Sequence, residues 1–269
     1  MIQNYTKNFI NGIRFEEISN VVRNIDRHDE LPTGIRHPQI IFCKAEGFSE
    51  LFSELQDKPY DVILISHCSD HAVTKEVFET RSPNVKKWFA QNVDFEHSDL
   101  IPIPMGIENH EGSNRGKYTD FQYLDETIKP LEISNKIINK IYCNFNNTHW
   151  NRPAVHNILR SANHFMDQGR PFKQYIENMQ RFLFVASPRG NGIDCHRTWE
   201  ALYAGCIPIV ERHFMYDGYN LPIVQIDRWE DVDTPLNEFI EQYKSGHAFA
   251  NVEQLDVQWW FNKIQEELK

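Results

Sequence analysis

Residues 181–210 read RFLFVASPRGNGIDCHRTWEALYAGCIPIV. The opening run is almost wholly apolar and predicts a buried strand, which the turn Pro188–Ile193 ends. A helix is expected over Cys195–Ala204, with Asp194 as its N-cap and Gly205 at the position that stops it. A second apolar strand follows at Ile207–Val210. A strand, a helix and a strand within about 30 residues predict a βαβ unit.

The rest of the chain shows the same alternation of short β-branched runs and longer amphipathic stretches. Several strand candidates are apolar throughout, as expected when helices cover both faces of a parallel sheet. The pattern therefore predicts an α/β fold with doubly wound parallel sheets. The other strands are expected at Gln39–Cys43, Asp61–Ser66, Leu100–Ile103, Lys140–Phe145 and Ile223–Ile226, and the other helices at Phe48–Leu55, Asn84–Gln91, Pro153–Met166, Lys173–Gln180, Pro235–Tyr243 and 253–268.

The length of 269 residues suggests one large or two modest domains at about 150 residues each. A polar stretch rich in Gly, Asn and Lys, Glu108–Asn139, interrupts the alternation and reads as a loop and linker. We therefore expect an N-terminal domain over 1–135 and a C-terminal domain over 136–245. The segment 246–269 is expected to form a helix that packs near the domain junction.

Composition excludes several classes of protein. Lys and Arg total 28 against 38 Asp and Glu, a net charge of −10, which argues against nucleic-acid binding through global charge. No apolar run approaches the ~20 residues of a membrane span, and the polar N-terminus lacks the apolar core of a signal peptide. Five cysteines without a Cys-x-x-Cys pair predict neither a disulfide framework nor structural zinc. A cytoplasmic protein, in a bacterium or in the host cytosol of a virus, is expected.

The turn after the first quoted strand predicts an anion site. Gly190-x-Gly192 is followed by Cys195 where a dinucleotide fingerprint has its third glycine, which disfavours NAD. Arg189, His196 and Arg197 instead place positive charge beside the backbone N–H groups of a helix start, which suits a phosphate or diphosphate. Alternatively, Arg197 pairs with Asp194 and His196 is simply solvated. Glu200, one turn beyond His196, is placed to accept hydrogen bonds from ribose or sugar hydroxyls, or it is a plain exposed helix glutamate.

The string from Ser187 to Val210 resembles the donor-binding signature of exostosin-like glycosyltransferases of the GT-B fold. The runs 87–92 and 103–109 also look like the N-terminal half of such proteins. The resemblance implies two Rossmann-like doubly wound α/β domains facing a cleft, with a nucleotide sugar held by the C-terminal half. It also implies transfer without a metal, because cations and helix dipoles can stabilise the leaving diphosphate. Arg152, which follows another strand, is a second candidate clamp for the diphosphate or the partner of a nearby acid. The expected donor-binding residues are Asn146, Arg152, Arg189, Gly190, Asn191, Gly192, Asp194, His196, Arg197 and Glu200.

Inverting transfer needs a base to take the proton of the acceptor hydroxyl. His67-Cys68-Ser69-Asp70-His71 follows a strand of the first half, where open α/β sheets place their ligands. Asp70 is the preferred catalytic candidate, and His67 and His71 either orient it or replace it. The alternative is that Asp70 caps a helix near Ala72–Phe78. Glu108 is the second candidate for the base.

The sequence thus predicts a glycosyltransferase that moves a sugar from a nucleotide-diphosphate donor to a hydroxyl acceptor, with inversion and without a metal or other cofactor. A UDP- or GDP-sugar is favoured over a CMP-sugar, and a glycan or glycoconjugate is favoured over a nucleic acid as acceptor. Two alternatives stay open. One is a nucleotide-sugar epimerase or hydrolase on the same architecture, and the other is a non-catalytic protein that binds nucleotide sugars or glycans.

Overall fold

The structure, a computed structural model, describes residues 8–109, 133–244 and 252–269. These residues form two compact units. The N-terminal unit consists of Ile10–Met105, Gly192–Asp194 and Val257–Lys269, and the C-terminal unit takes the described residues of Met1–Phe9, Gly106–Asn191 and Cys195–Asp256. Among the described residues, no helix combines the length and the apolar character needed to cross a membrane.

The N-terminal unit is built on a parallel sheet of five strands, and each strand lies beside the one that precedes it in the chain. The apolar runs form its centre: every residue of Gln39–Cys43 and Val62–Ser66 is buried. The strands are β1 (Val21–Arg23), β2 (Gln39–Cys43), β3 (Val62–Ser66), β4 (Val85–Ala90) and β5 (Leu100–Pro102). The helices are α1 (Gly12–Glu17), α2 (Phe48–Leu55), α3 (Lys75–Glu79) and α8 (Val257–Glu266). Phe261 of α8 packs edge-on against Phe15 of α1, with 6.2 Å between the ring centroids.

The C-terminal unit is built on a second parallel sheet of five strands, in the order β10-β9-β8-β6-β7. Its strands are β6 (Ile137–Cys143), β7 (Phe165–Met166), β8 (Phe182–Ala186), β9 (Ile207–Glu211) and β10 (Val224–Ile226). Its helices are α4 (Arg152–Ser161), α5 (Phe172–Gln180), α6 (His196–Tyr203) and α7 (Asp233–Lys244).

Helices cover both faces of this second sheet. On one face, Ile141 and Phe184 pack with Leu159 of α4 and Leu236 of α7. Successive residues of a strand point to opposite faces. Tyr142 therefore points to the other face, where its ring lies 6.1 Å from that of Tyr175 of α5. The expected parallel α/β architecture is confirmed. Among the described residues, the doubly wound strand order is seen in this sheet only. In the first sheet each new strand is added on the same side of the one before it.

The quoted βαβ unit forms as predicted. Gly205 has a positive φ of 70° and follows α6, as a residue at the C′ position should. The predicted N-cap was wrong by one residue, because Cys195 is the N-cap and the buried Asp194 carboxylate accepts a hydrogen bond from Met105 N at 2.9 Å.

The helix predicted over Asn84–Gln91 was wrong, because the segment is strand β4. Trp88, Phe89 and Ala90 are all buried, and β4 pairs with β3 and β5. A short apolar run of this kind fits a buried strand and a buried helix equally well by periodicity.

Other boundaries moved as well. The helix expected to reach Met166 ends at Ser161, and Asn163, with a φ of 60°, turns the chain into β7. β6 begins at Ile137, inside the stretch expected to be a linker, and ends at Cys143. Most of that stretch, residues 110–132, lies outside the described residues.

Candidate functional site

The C-terminal sheet changes direction once, between β6 and β8. After β6 the chain adds β7 on one side, and it then returns to add β8, β9 and β10 on the other. Two loops therefore leave the carboxyl ends of neighbouring strands and diverge, one over 144–151 and the other starting at Ser187. Open α/β sheets bind their ligands at this kind of switch point. The predicted donor-binding residues of this unit lie on these loops and on the helices that follow them, α4 and α6.

Arg152 ties the two loops together. Its Nε donates to Arg189 O at 2.8 Å, and its Nη2 donates to Pro188 O at 2.9 Å. Its Nη1 donates to Asn146 O and to Thr148 Oγ1, both at 2.8 Å. The side chain is buried, with 4% exposure. The rigid fork of an arginine suits this role, and four of its five N–H groups are used on the protein itself.

Gly190 allows Arg152 to approach the second loop closely. A Cβ at Gly190 would lie 3.2 Å from Arg152 Nη2, tighter than most real Cβ contacts. The predicted donor residue Gly190 thus has a packing reason to be glycine. Asn146 and Asn191 are exposed on the first and second loops, respectively.

Arg197 lies in the first turn of α6 and turns back to the end of β6. Its Nε donates to Asn144 O at 2.8 Å, and its side chain is half-buried. Burial lowers the pKa of Arg197, but its interactions with Tyr175, Cys195 and Glu200 outweigh burial, so the pKa lies above the ordinary arginine value. A permanent positive charge is therefore fixed at the switch point.

Glu200, one turn along α6, is almost fully buried, with 6% exposure. The phenol of Tyr175 donates to its Oε2 at 2.7 Å. Burial, followed by the Glu200 charge, raises the pKa of Tyr175 well above the ordinary tyrosine value, so the phenol keeps its proton. A carboxylate oxygen pair accepts about four hydrogen bonds, so Glu200 retains capacity for ligand hydroxyls.

His196, a predicted donor-binding residue, lies beside Glu108, a candidate base. Its Nδ1 lies 2.8 Å from Gly106 O, and its Nε2 lies 3.6 Å from Glu108 Oε2. The carbonyl oxygen can only accept, so Nδ1 donates. The imidazole is thereby oriented with Nε2 facing the Glu108 carboxylate. The structure brings together a candidate base and a candidate donor-binding residue.

Arg189 stands where the second loop leaves β8. Its backbone N donates to Glu211 Oε2 at 2.9 Å. The Glu211 carboxylate, at the end of β9, also accepts from Asn151 Nδ2 at 3.3 Å and from Trp229 Nε1 at 2.7 Å. The Arg189 Nε is buried and has no hydrogen-bond partner among the described residues. A buried guanidinium nitrogen without a partner is costly unless a ligand or water satisfies it.

Gly192 and Asp194 belong to the N-terminal unit, where Asn92 fixes them. Asn92 Oδ1 accepts from Asp194 N at 2.9 Å, and Asn92 Nδ2 donates to Ser69 O at 3.1 Å. A Cβ at Gly192 would lie 2.6 Å from Asn92 Nδ2, so only glycine fits there. Asn92 itself is fully buried at a φ of 55°, a left-handed conformation that asparagine tolerates.

The other candidate base lies in the loop after β3. Asp70 and His71 are exposed, and His71 N donates to Ser69 Oγ at 3.2 Å. His67 is buried and its Nε2 contacts Pro104 O at 3.0 Å, so it serves the fold of the loop. The alternative role of Asp70 as a helix cap was wrong, because Thr74 caps α3 through its hydroxyl.

Two groups of residues contain side chains of the types that bind metal ions. The ligand atoms of His28, Glu50 and Glu54 lie within 4.8 Å of one another on the N-terminal unit, and Glu54 also accepts from Arg23 at 2.6 Å. The sequence contains one Asp-x-Asp pair, Asp231 and Asp233. Both side chains are exposed, and they lie beside different residues, Asp231 3.9 Å from Arg228 Nε and Asp233 3.7 Å from His164 Nε2.

Several residues at the switch point were not predicted from the sequence. Glu211 ends the apolar run of β9. A polar residue at the carboxyl end of a strand could have been identified from the sequence as a candidate site residue. Tyr175 lies in a helix of ordinary composition, 25 residues before Glu200. Its partnership depends on how α5 and α6 pack and leaves no local trace in the sequence.

Comparison of the chain with models of protein families and with curated proteins gives no match.

Proposed function

We propose that this protein is a glycosyltransferase of the exostosin-like group with the GT-B fold, and that it binds a nucleoside diphosphate sugar at the switch point of the C-terminal sheet. One observation carries the proposal. Arg189 and Arg197 lie at the diverging carboxyl ends of β8 and β6, and the buried Nε of Arg189 has no partner among the described residues. Glu200 lies buried one turn further along α6. Two cations and a nearby acceptor of hydroxyl hydrogen bonds match a diphosphate joined to a ribose.

The positions of these residues support specific ligand contacts. Arg189, Arg197 and the N–H groups at the start of α6 face the diphosphate and stabilise the charge that develops as it leaves. Glu200, held by Tyr175, accepts from the ribose hydroxyls. Arg152 supports these contacts by holding the loops rather than by touching the ligand.

For the chemistry we propose Glu108, beside His196, as the base. An acceptor oxygen attacks the anomeric carbon, the bond from that carbon to the diphosphate oxygen breaks, and the base takes the hydroxyl proton. A carboxylate that faces an imidazole 3.6 Å away suits this step. Asp70 is the other candidate, and a comparison of Glu108→Gln with Asp70→Asn decides between them.

Calorimetry with UDP, GDP, CMP and their sugar conjugates, with and without EDTA, tests the proposal. Binding of one nucleoside diphosphate is expected to survive EDTA and to weaken at least about tenfold in Arg197→Ala. Arg160→Ala is the matched control, because Arg160 is an exposed arginine of the same unit, on α4. Absence of binding by every nucleotide contradicts the proposal.

Turnover separates the rival activities. A transferase releases the nucleoside diphosphate faster when an acceptor glycan is present, and Glu108→Gln slows release while it leaves donor binding unchanged. Release that is indifferent to any acceptor indicates a hydrolase, conversion of the sugar without release indicates an epimerase, and binding without change indicates a binding protein.

A further inference from the structure

Trp150 is placed unlike the buried tryptophans of the chain. It is 85% exposed, whereas Trp88 and Trp199 are fully buried. An indole ring contributes a large apolar surface, and folding leaves this one in water. Its ring contact with His149, 5.4 Å between centroids and tilted by 40°, covers little of that surface. Packing among the described residues therefore does not explain a tryptophan at this position.

The loop that carries Trp150 is held on both sides. Arg152 Nη1 donates to Asn146 O and Thr148 Oγ1, and Asn151 Nδ2 donates to Glu211 Oε1. The ring is thus presented from a backbone that is already fixed. A fixed aromatic side chain with two rotatable bonds loses little entropy when a ligand contacts it.

Trp150 and Glu200 lie toward opposite faces of the sheet at its carboxyl edge. Trp150 leads into α4, which packs on the same face as Ile141 and Phe184. Its neighbour Asn151 contacts Glu211, which also accepts from Trp229 on that face. Glu200 contacts Tyr175 of α5, which packs on the other face. Arg189 lies on the Trp150 side, because its backbone N donates to the same Glu211 carboxylate that Asn151 contacts. A ligand with its ribose at Glu200 and its diphosphate at Arg197 and Arg189 would therefore extend its next group toward Trp150.

We propose that Trp150 stacks against the pyranose ring of the sugar to be transferred. A pyranose has a face of C–H groups that is apolar, and an indole covers such a face without a hydrogen bond. The inference rests on the proposed function and adds to it the substrate class, a sugar whose ring presents several C–H groups on one side. It makes Trp150 a specificity-determining residue.

The test compares each nucleoside diphosphate with its sugar conjugate, using UDP against UDP-glucose and UDP-N-acetylglucosamine, and GDP against GDP-mannose. For the pair that binds wild type, we expect Trp150→Ala to weaken the sugar conjugate by about tenfold and to leave the bare nucleotide unchanged. Trp150→Phe, which keeps an aromatic face, should retain most of the affinity. Ile25→Ala, at an equally exposed apolar residue of the N-terminal unit, should change neither.

Each other outcome overturns the inference in a distinguishable way. Equal weakening of nucleotide and conjugate places Trp150 at the base or the phosphates. Unchanged affinity for both, with wild-type binding intact, shows that Trp150 meets no part of the donor while the proposed function stands. If wild type binds none of these compounds, the proposed function itself fails, and this inference fails with it.

Discussion

Replacing Gly192 with alanine should destabilise the protein more than any surface substitution. The new Cβ would lie 2.6 Å from Asn92 Nδ2 and 2.9 Å from Asn92 Oδ1. Asn92 cannot yield cheaply, because it is fully buried and its amide holds both Asp194 N and Ser69 O. Overpacking costs about 1–3 kcal/mol, and each hydrogen bond lost adds about 1 kcal/mol, so we expect a loss of about 2–4 kcal/mol.

Urea unfolding followed by circular dichroism measures this loss. Gly218→Ala is the matched control, since a Cβ there meets no atom within 4 Å and should leave stability unchanged or slightly raised. A double-mutant cycle isolates the cause: in an Asn92→Gly background, which removes the side chain and tolerates the φ of 55°, Gly192→Ala should cost much less. Equal costs of Gly192→Ala in both backgrounds, or a cost no larger than that of Gly218→Ala, refute the reasoning.

Three further predictions concern the C-terminal unit. Arg152→Lys, which loses the fork that reaches both loops, should lower the free energy of unfolding by about 2–4 kcal/mol, and an unchanged urea midpoint would contradict the role given to Arg152. Tyr175→Phe should cost about 1.5–3 kcal/mol by removing the donor to the buried Glu200, and it should also weaken nucleotide binding; stability equal to wild type would show that the hydrogen bond contributes nothing. Burial lowers the pKa of His156 and of His164 in the folded protein, so the unfolded chain takes up these protons first as the pH falls. The contribution of these histidines to stability should therefore be fully present above the ordinary histidine pKa of about 6.5 and should be lost as the pH falls below it. His156→Gln with His164→Gln should flatten that loss, which urea unfolding measures at pH values from about 7.5 to about 5.

The fold was predictable where the local signals agree. In the stretch 181–210 the apolar runs, the turn and Gly205 all favour one interpretation, and β8 and α6 formed there almost to the residue. The segment Val85–Ala90 failed because a short buried run carries no period of its own. Its identity as a strand comes from pairing with β3 and β5, which lie elsewhere in the sequence.

The candidate site was predictable as residue types but not as partnerships. Arg197, Glu200 and His196 were identified from one turn of a helix. Arg152 donates to backbone carbonyls of the second loop that lie 36 and 37 residues later in the sequence. Glu108 faces His196, which lies 88 residues later. The side chain of Asp194 was expected to cap a helix and instead holds Met105, 89 residues away. Contacts of this kind follow from the assembled sheets, which no local pattern encodes.

The central claim is that the switch point of the C-terminal sheet holds the nucleoside diphosphate. Hydrogen–deuterium exchange with and without the nucleotide that binds best in calorimetry tests this location directly. We predict slower exchange of the amides in residues 144–151, in Arg189–Asn191 and in the first turn of α6, with little change in β1–β5. Protection confined to the N-terminal unit, or no protection at saturating nucleotide, would contradict the account.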